Sequence, residues 1–256
     1  MRCFHAALSK KAIFSMHAPP GISANPATMR TPHPLDRIIW ESLTTHHLPI
    51  SIGDDRARRY PHEVAPFAAT VDDSPSSWQA LHNLLEPQES AVLFTIDEPD
   101  PPGEFEAVKR MTLDQMFGPV HGEPAAATPI APLGVSDLDD IMALIKLTNP
   151  GPFRPRALEL GRYLGVRVDG RLAAMAGERM HPDGYVELSA VCSHPDFRGH
   201  GYPKDLILTL TCDIQARGEM PMLHAASQND AAISLYRKLG FVTRTAIRLT
   251  VVRRIA

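Results

Sequence analysis

The apolar residues in the C-terminal half of the chain fall into short runs separated by turn-forming pairs. Three runs, over 163–168, 172–179 and 185–192, are typical of strands. Asp-Gly at 169–170 favours a tight hairpin between the first two, and His-Pro-Asp-Gly at 181–184 indicates a second turn. This pattern predicts an antiparallel meander of three strands.

Helical spacing of apolar residues alternates with further short strands on either side of the meander. Helices are predicted over 136–147, 203–217 and 229–239, and strands over 222–226 and 246–252. Ser136 and Asp139 form a variant capping box at the start of the first helix. Gly218 and Gly240 stand where the other two helices end, a position that favours glycine because its backbone is left-handed.

Residues 36–115 show a more mixed pattern. Helices are predicted over 35–43 and 76–85, the second with a serine cap, and a short apolar strand over 91–96. Residues 118–132, rich in proline and alanine, predict a connector or an edge strand. We expect a small α/β domain of unknown role over 36–115, or a degenerate second copy of the larger domain, and that larger domain over 116–256.

The first 35 residues form a separate region by composition. They are basic, rich in Ala, Pro and Ser, and carry no acid before Asp36. A basic, acid-poor leader is also typical of a transit peptide, but the prolines between residues 19 and 26 would interrupt an amphipathic helix. We expect a disordered tail over 1–35, which a start of translation at Met16 or Met29 would shorten.

Composition narrows the class of protein. Hydrophobic residues make up 44% and charged residues 21% of the chain, as in an ordinary soluble globular protein. The net charge of −3 gives no reason to expect nucleic acid or an anionic membrane as a partner, and no apolar run reaches the roughly 18–20 residues of a membrane span. Cys3, Cys192 and Cys212 show neither a disulfide framework nor zinc-ligand spacing. We expect a cytoplasmic protein without a metal.

The stretch over 191–203, Val-Cys-Ser-His-Pro-Asp-Phe-Arg-Gly-His-Gly-Tyr-Pro, carries the strongest chemical signal. It leads from an apolar strand through a turn into a glycine-rich loop that opens a helix. Successive backbone N–H groups in such a loop, with the positive end of the helix dipole, form a site for a phosphate or pyrophosphate. The loop matches neither the nucleoside triphosphate P-loop nor the dinucleotide-binding fingerprint.

The loop resembles instead the acetyl-coenzyme A loop of the GNAT acyltransferases, whose pattern is Gln/Arg-x-x-Gly-x-Gly/Ala. Here it reads Arg198-Gly199-His200-Gly201-Tyr202-Pro203. Residues 223–241 resemble the second signature of the same family, because they contain Asn229 and end in Leu-Tyr-Arg-Lys-Leu-Gly-Phe. The resemblance covers about residues 116–256. It implies an α/β (α+β) fold with a mixed, mostly antiparallel central sheet flanked by helices.

The resemblance also implies acetyl-CoA as co-substrate. Gly199 and Gly201 would let the backbone approach the pyrophosphate because they have no Cβ. His200 and Tyr202 would add further N–H groups, and Arg198 would face the phosphates. A plain turn before a helix is the alternative interpretation.

The rest of the co-substrate would be held by backbone and one side chain. The pantetheine arm would pair with the backbone of Val191, Cys192 and Ser193, and Asn229 would cap its helix, bind the arm, or both. Pro203 departs from the family pattern. It suits the first turn of a helix but has no N–H, a deficit of about 1–2 kcal/mol in phosphate binding unless compensated.

Two side chains are candidates for the proton transfers. By resemblance Tyr236 is the general acid, since a phenol of pKa about 10 can protonate a departing thiolate; a core tyrosine is the alternative. Glu187, on the strand before the loop, is the candidate base, directly or through water, and Glu178 is the runner-up. A solvated strand carboxylate is the alternative for Glu187.

Three further residues attract attention but predict structural roles. His194 is interpreted as a turn residue and His224 as a core histidine satisfied by backbone groups. Cys192 has no activating partner nearby in the sequence, so we interpret it as a buried strand residue rather than a nucleophile.

The resemblance implies an enzyme that moves an acetyl group from acetyl-CoA to a primary amine of a small molecule, peptide or protein, by direct attack in a ternary complex. By the same resemblance the loop over 150–155 covers the acceptor, and its prolines predict a stiff wall there. A catalytically degenerate acyl-CoA-binding sensor or scaffold is the alternative, and an unrelated phosphate-binding α/β protein is a third. Exposed edge strands are compatible with a homodimer.

Overall fold

The computed structural model describes residues 33–118, 120, 122 and 128–255, and Pro34–Ala256 group into one compact unit. The predicted tail lies outside the described residues except at its end, where Leu35 is fully buried. Much of the predicted connector over 118–132 also lies outside them.

The chain alternates short strands with five helices in its described part. The helices are α1 (Ile38–Thr44), α2 (Pro75–Leu84), α3 (Leu138–Thr148), α4 (Tyr202–Ala216) and α5 (Asp230–Leu239). The strands are β1 (Ile52–Gly53), β2 (Ala57–Arg59), β3 (Ala68–Thr70), β4 (Ser90–Thr95), β5 (Phe105–Phe117), β6 (Ile130–Leu133), β7 (Tyr163–Val168), β8 (Arg171–Glu178), β9 (Tyr185–Ser193), β10 (Met220–Ala226) and β11 (Val242–Arg254).

Eight of these strands form one sheet in the order β4-β11-β5-β10-β9-β8-β7-β6. Every neighbouring pair is antiparallel except β9 and β10, which run parallel. The predicted meander is therefore confirmed as β7-β8-β9, and the predicted fold class, a mostly antiparallel mixed sheet flanked by helices, is confirmed with it. Strands β1, β2 and β3 form a separate small sheet.

Strand β5 was not predicted, and it crosses the boundary expected at residue 115. It pairs with β11 on one side and β10 on the other, while β4 pairs with β11. Two strands from the first half of the chain thus belong to the main sheet. The pattern of β5 hid it, because Glu106, Lys109 and Arg110 lie exposed in its first half and only its second half is largely buried.

The two faces of the sheet bury different parts of the chain. Val186 and Leu188 of β9, with Leu223 of β10, pack in the core beneath α4 and α5. Met222 of β10 packs in a second core with Phe67 and other residues of the N-terminal segment (residues 34–99). Because side chains alternate along a strand, Glu187 faces this N-terminal segment.

The helix starts differ in detail from the prediction. The acid that accepts from backbone before α3 is Asp137, whose Oδ2 lies 3.0 Å from Gly134 N, so the predicted capping box of Ser136 and Asp139 is wrong. A turn of 3-10 helix over Val135–Asp137 displaces the start. The cap of α2 is Ser74. No helix in the described part of the chain is both long and apolar enough to cross a bilayer.

Candidate active site

The site begins at a gap inside the main sheet. The ladder between β9 and β10 ends at Leu188 and Leu223, although β9 continues to Ser193 and β10 to Ala226. Beyond that point each strand remains paired on its other side, β9 with β8 and β10 with β5. Two strand edges therefore face each other without hydrogen bonds between them, and a ligand can pair with either.

A β-bulge in β9 accompanies this separation. Met175 pairs with Cys192 and Gly177 pairs with Ser189, so Ala190 and Val191 together oppose the single residue between them on β8. Ala190 has a positive φ of 54°, which is uncommon for a residue with a Cβ. A bulge increases local twist and bends its strand, which turns the end of β9 away from β10.

The loop after β9 presents backbone donors. Gly199 and Gly201 have φ of 82° and 79°, a left-handed backbone that glycine adopts without strain. The first bond of α4 runs from Asp205 N to Gly201 O. Within the described residues, the N–H groups of Gly199 to Tyr202 have no protein acceptor. Unbonded donors at the start of a 15-residue helix suit an anion.

The turn before this loop is held from β8. The side chain of His194 accepts from Asp196 N, which confirms His194 as a turn residue. Arg171 pairs with Asp196 at 2.9 Å and lies 5.0 Å from the ring centroid of Phe197. Arg198, in contrast, is exposed, and its side chain makes no hydrogen bond or ion pair with another described residue, so its guanidinium is available to a ligand.

Tyr236 and Asn229 lie on the helix that follows β10. Asn229 caps α5 through a bond from Ala232 N to its Oδ1 of 3.1 Å. Tyr236 is buried at 8% exposure, and burial raises the pKa of its phenol to about 12. The phenol therefore keeps its proton at neutral pH, and none of the described residues hydrogen-bonds to it.

Glu187 forms a buried ion pair with Arg179. Its carboxylate is fully buried and accepts two bonds from Arg179, of 2.8 and 2.6 Å, and one of 2.7 Å from His224 Nδ1. Burial alone would raise the pKa of Glu187, but Arg179 and His224 outweigh it and lower this pKa to about 2. Such a carboxylate is a weak base, so this geometry opposes a direct proton transfer to Glu187.

The ion pair continues into a polar network under the sheet. Gln115 Nε2 lies 3.0 Å from His224 Nε2 and 2.9 Å from Leu35 O, and Arg244 Nε donates to Gln115 Oε1 at 2.6 Å. An amide N–H donates, so His224 carries its proton on Nδ1, facing Glu187. Its partners are side chains rather than the backbone groups expected from the sequence. The residues of this network are far apart along the chain, so no local sequence motif predicts it.

Glu178 and Cys192 complete the set of residues singled out by the sequence. Glu178 is buried and pairs with Arg217 at 3.1 Å. Cys192 is buried at 8% exposure, and burial raises the pKa of its thiol to about 11. The structure thus gathers Val191, Cys192, Ser193 and the glycine loop around the end of β9, and it withdraws both candidate carboxylates from solvent.

A histidine cluster lies at the opposite end of β9. His46, His181 and Glu219 bring one ligand atom each within 4.8 Å of one another, close enough to hold a metal. The two imidazoles, however, stack face to face at 3.9 Å with an interplanar angle of 2°. Lone pairs lie in the ring planes, so parallel rings do not aim them at one ion. The absence of a metal stays a prediction.

Two comparisons by sequence find proteins similar to part of the chain. The family model described as FR47-like protein matches residues 163–249. Over 58 residues the chain is 43% identical to acetyltransferase YE1169 of Yersinia enterocolitica. That match covers 22% of this chain and 40% of the relative, so the chain spans less than half the length of this curated relative.

Solved structures extend the comparison to most of the chain. A protein from Novosphingobium aromaticivorans, described as an acetyltransferase from the GNAT family, superposes with a TM-score of 0.81 at 36% identity, over 87% of this chain and 99% of that one. A GCN5-related N-acetyltransferase from Kribbella flavida gives a TM-score of 0.54 at 18% identity, over 84% of this chain and 95% of that one. The second match supports the fold alone.

Proposed function

The chain belongs to the GNAT superfamily of N-acetyltransferases, and on that premise we propose that it transfers an acetyl group from acetyl-CoA to the primary amine of a small molecule or peptide. The observation that supports this most is the gap between β9 and β10, which opens beside the unbonded N–H groups of the following loop. A thioester arm can enter the gap while its diphosphate binds the loop. Neither Cys192 nor Cys212 forms a disulfide with a described residue, which suits the reducing cytoplasm, where we expect the protein to act.

The donor site fits a coenzyme A molecule by the chemistry of its donors. Acetyl-CoA, when bound, supplies an acetyl group activated as a thioester. The N–H groups from Gly199 to Tyr202 bind its pyrophosphate, and Arg198 adds a charge-assisted contact. Pro203 donates nothing. The backbone of Val191–Ser193, unpaired across the gap, binds the amides of the pantetheine arm as a neighbouring strand would.

Tyr236 holds the proton that the departing sulfur needs. A phenol is protonated at neutral pH whether its pKa is 10 or about 12, so Tyr236 reaches the reaction with its proton. It donates a hydrogen bond from Oη to the sulfur and gives up the proton as the carbon–sulfur bond breaks. Asn229 fixes the first turn of the helix that carries Tyr236.

Glu187 acts as a positioning residue in this proposal rather than as a direct base. Its bonds to Arg179, the residue after β8, and to His224 of β10 hold β9 in place just before the ladder between β9 and β10 ends. The attacking amine loses its proton to water at the open end of the crevice. An acceptor would pass the loop over 150–155, where Phe153 packs edge-on against Tyr163 with ring centroids 5.6 Å apart.

Thiol release with a panel of primary amines tests the function. We expect Tyr236→Phe to lower kcat on the order of 100-fold, the usual contribution of a positioned acid, with the KM for acetyl-CoA unchanged. Tyr60→Phe is the matched control, because it removes another buried phenol, one that bonds to His47 in the N-terminal segment. It should leave kcat as in the wild type.

Three other outcomes would contradict parts of the proposal. Equal turnover in wild type and Tyr236→Phe would remove Tyr236 from the proton transfer. Calorimetric binding of CoA without turnover of any amine would favour the acyl-CoA-binding module. If CoA produces no heat, the donor site itself is wrong.

A further inference from the structure

A cavity of about 240 Å³ lies in the N-terminal segment, away from the glycine loop. It is open to solvent on one side and lined by the start of α1, by β3 and the turn after it, by α2, and by the end of β4 with the residues that follow it. Its volume is roughly that of eight water molecules in the liquid, which is room for a small organic ligand. None of the residues proposed for acetyl transfer lines this cavity, and none of the strand residues that border the gap between β9 and β10 does.

The inner walls of this cavity are apolar and aromatic. Trp40 and Trp78, the only two tryptophans of the chain, both line it, together with Leu93, Phe94 and Ile96. Arg37 already lies 5.3 Å from the ring centroid of Trp40, so one indole face accepts a cation in this structure. Indole is the aromatic group that binds cations best.

The rim carries an excess of negative charge. Five carboxylates line the cavity against one arginine: Asp36, Asp72, Asp73, Asp97 and Glu98, with Arg37. Hydrogen bonds from Ser74 and Ser77 lower the pKa of Asp72 to about 2, so this group stays ionised.

The five carboxylates differ in their partners. Asp36 pairs with Arg244 and Glu98 with Arg110, both cations from outside the lining. Asp73 and Asp97 are exposed and make no side-chain bond or ion pair with any described residue. Two charges at the mouth are therefore left for a ligand.

We propose that this cavity binds a small organic ammonium ion with an apolar or aromatic body. The apolar part would lie between Trp40 and Trp78, and the charged head would lie at the mouth near Asp73 and Asp97. Aromatic walls with convergent carboxylates select this class, since an anion meets repulsion and a neutral ligand loses the electrostatic attraction. The proposal does not depend on acetyl transfer.

The cavity also touches the polar network beneath the sheet. Phe94 lines the cavity, and its ring lies edge-on to His224 with centroids 4.9 Å apart. His224 in turn bonds to Glu187. An occupant could thus be an amine acceptor reaching toward the gap or a separate effector, and the chemistry of recognition is the same for both.

Phenethyltrimethylammonium is a suitable probe because it has no N–H and cannot be acetylated. We expect the probe to change the tryptophan fluorescence of the full chain in a saturable way and to release or absorb heat in calorimetry. It should bind at least about tenfold tighter than neutral 2-phenylethanol. The anion 3-phenylpropionate should bind least. Salt should weaken the binding because the rim is exposed.

Paired variants test the charge. Asp73→Asn with Asp97→Asn should weaken binding about fivefold, as expected for two exposed charges. Asp55→Asn with Asp100→Asn is the matched control, since both residues are exposed and neither lines the cavity. It should bind the probe as the wild type does.

The proposal is overturned if the probe gives neither a fluorescence change nor heat at concentrations on the order of 10 mM, where even weak specific sites fill. Equal binding of 2-phenylethanol, or an equal loss in the control variant, would overturn it as well. If the probe binds, phenethylamine with acetyl-CoA separates the two sources. If phenethylamine is acetylated and its KM rises in the Asp73/Asp97 variant, the cavity is an acceptor subsite. If phenethylamine binds and no acetylated product forms, the cavity is an effector site.

Discussion

The two halves of β9 differ in their burial and in their backbone pairing. The first half, around Glu187, is paired on both sides and covered by the N-terminal segment, and its carboxylate is fully buried. The second half, from Ala190 to Ser193, is bulged, unpaired on one side, and leads into an exposed loop. The first half holds neighbouring strands of the sheet together, and the second half leaves one backbone edge available to a ligand.

The difference lies in which atoms carry the interaction. In the covered half, buried charged side chains bond to each other, so removing one partner leaves the other buried without its opposite charge. In the open half, backbone N–H groups and left-handed glycines provide the site, so most side-chain changes there should matter little. This contrast predicts where substitutions reduce stability and where they reduce ligand affinity.

The largest effect is expected from removing the cation that pairs with Glu187. Arg179→Met leaves a fully buried carboxylate without its bidentate partner. Breaking a buried pair by removing one member lowers the free energy of unfolding by about 3–5 kcal/mol. Urea unfolding at pH 7 measures this loss.

Two further variants show whether the loss comes from the stranded charge. Combining Arg179→Met with Glu187→Gln should recover at least half of the stability, because the neutral amide still bonds to His224. Arg156→Met, which breaks an exposed pair with Glu159, should change stability little. If Arg179→Met is as stable as the control, the covered half does not depend on this ion pair.

A smaller, pH-dependent effect is expected from His47 in the N-terminal segment. Its Nδ1 accepts from Tyr60 Oη at 2.8 Å and its Nε2 donates to Leu160 O at 3.1 Å. Burial, with a contribution from His181, lowers the pKa of His47 to about 4. The unfolded chain, with an ordinary pKa of 6.5, therefore binds a proton that the folded chain refuses.

Stability from His47 is thus complete above pH 6.5 and falls as the pH drops toward 4, by about 3 kcal/mol in total. Free energies of unfolding measured from pH 7.5 downward should show this loss in the wild type and a flatter curve in His47→Gln. His200→Gln, in the exposed loop, is the control and should keep the wild-type curve. Parallel curves for wild type and His47→Gln would contradict the assignment.

The same contrast explains what the sequence could and could not predict. The glycine loop, the meander and α5 with its Asn229 cap are encoded by residues close together in the chain, so their patterns are readable. The network of Gln115, Arg179, Glu187 and His224 joins three distant segments, and each residue alone looks like an ordinary polar side chain. Strand β5 was missed for a related reason, since its partners lie more than 100 residues away.

The smallest change in stability, and the sharpest test of the open half, comes from two matched glycines. Gly201 at the start of α4 and Gly218 after its end both have φ of 79°, and a Cβ on either would meet no other atom within 4 Å. Alanine at either position should therefore lower the free energy of unfolding by a similar amount, about 1 kcal/mol, from backbone strain alone. Only Gly201→Ala should also weaken CoA binding, because relaxing that strain rotates the N–H groups that we propose bind the diphosphate.

Calorimetry with CoA, alongside urea unfolding of both variants, separates the two effects. Equal CoA affinity in the two variants would mean that the loop backbone does not hold the ligand, and the contrast between the halves of β9 would then be one of burial and not of function.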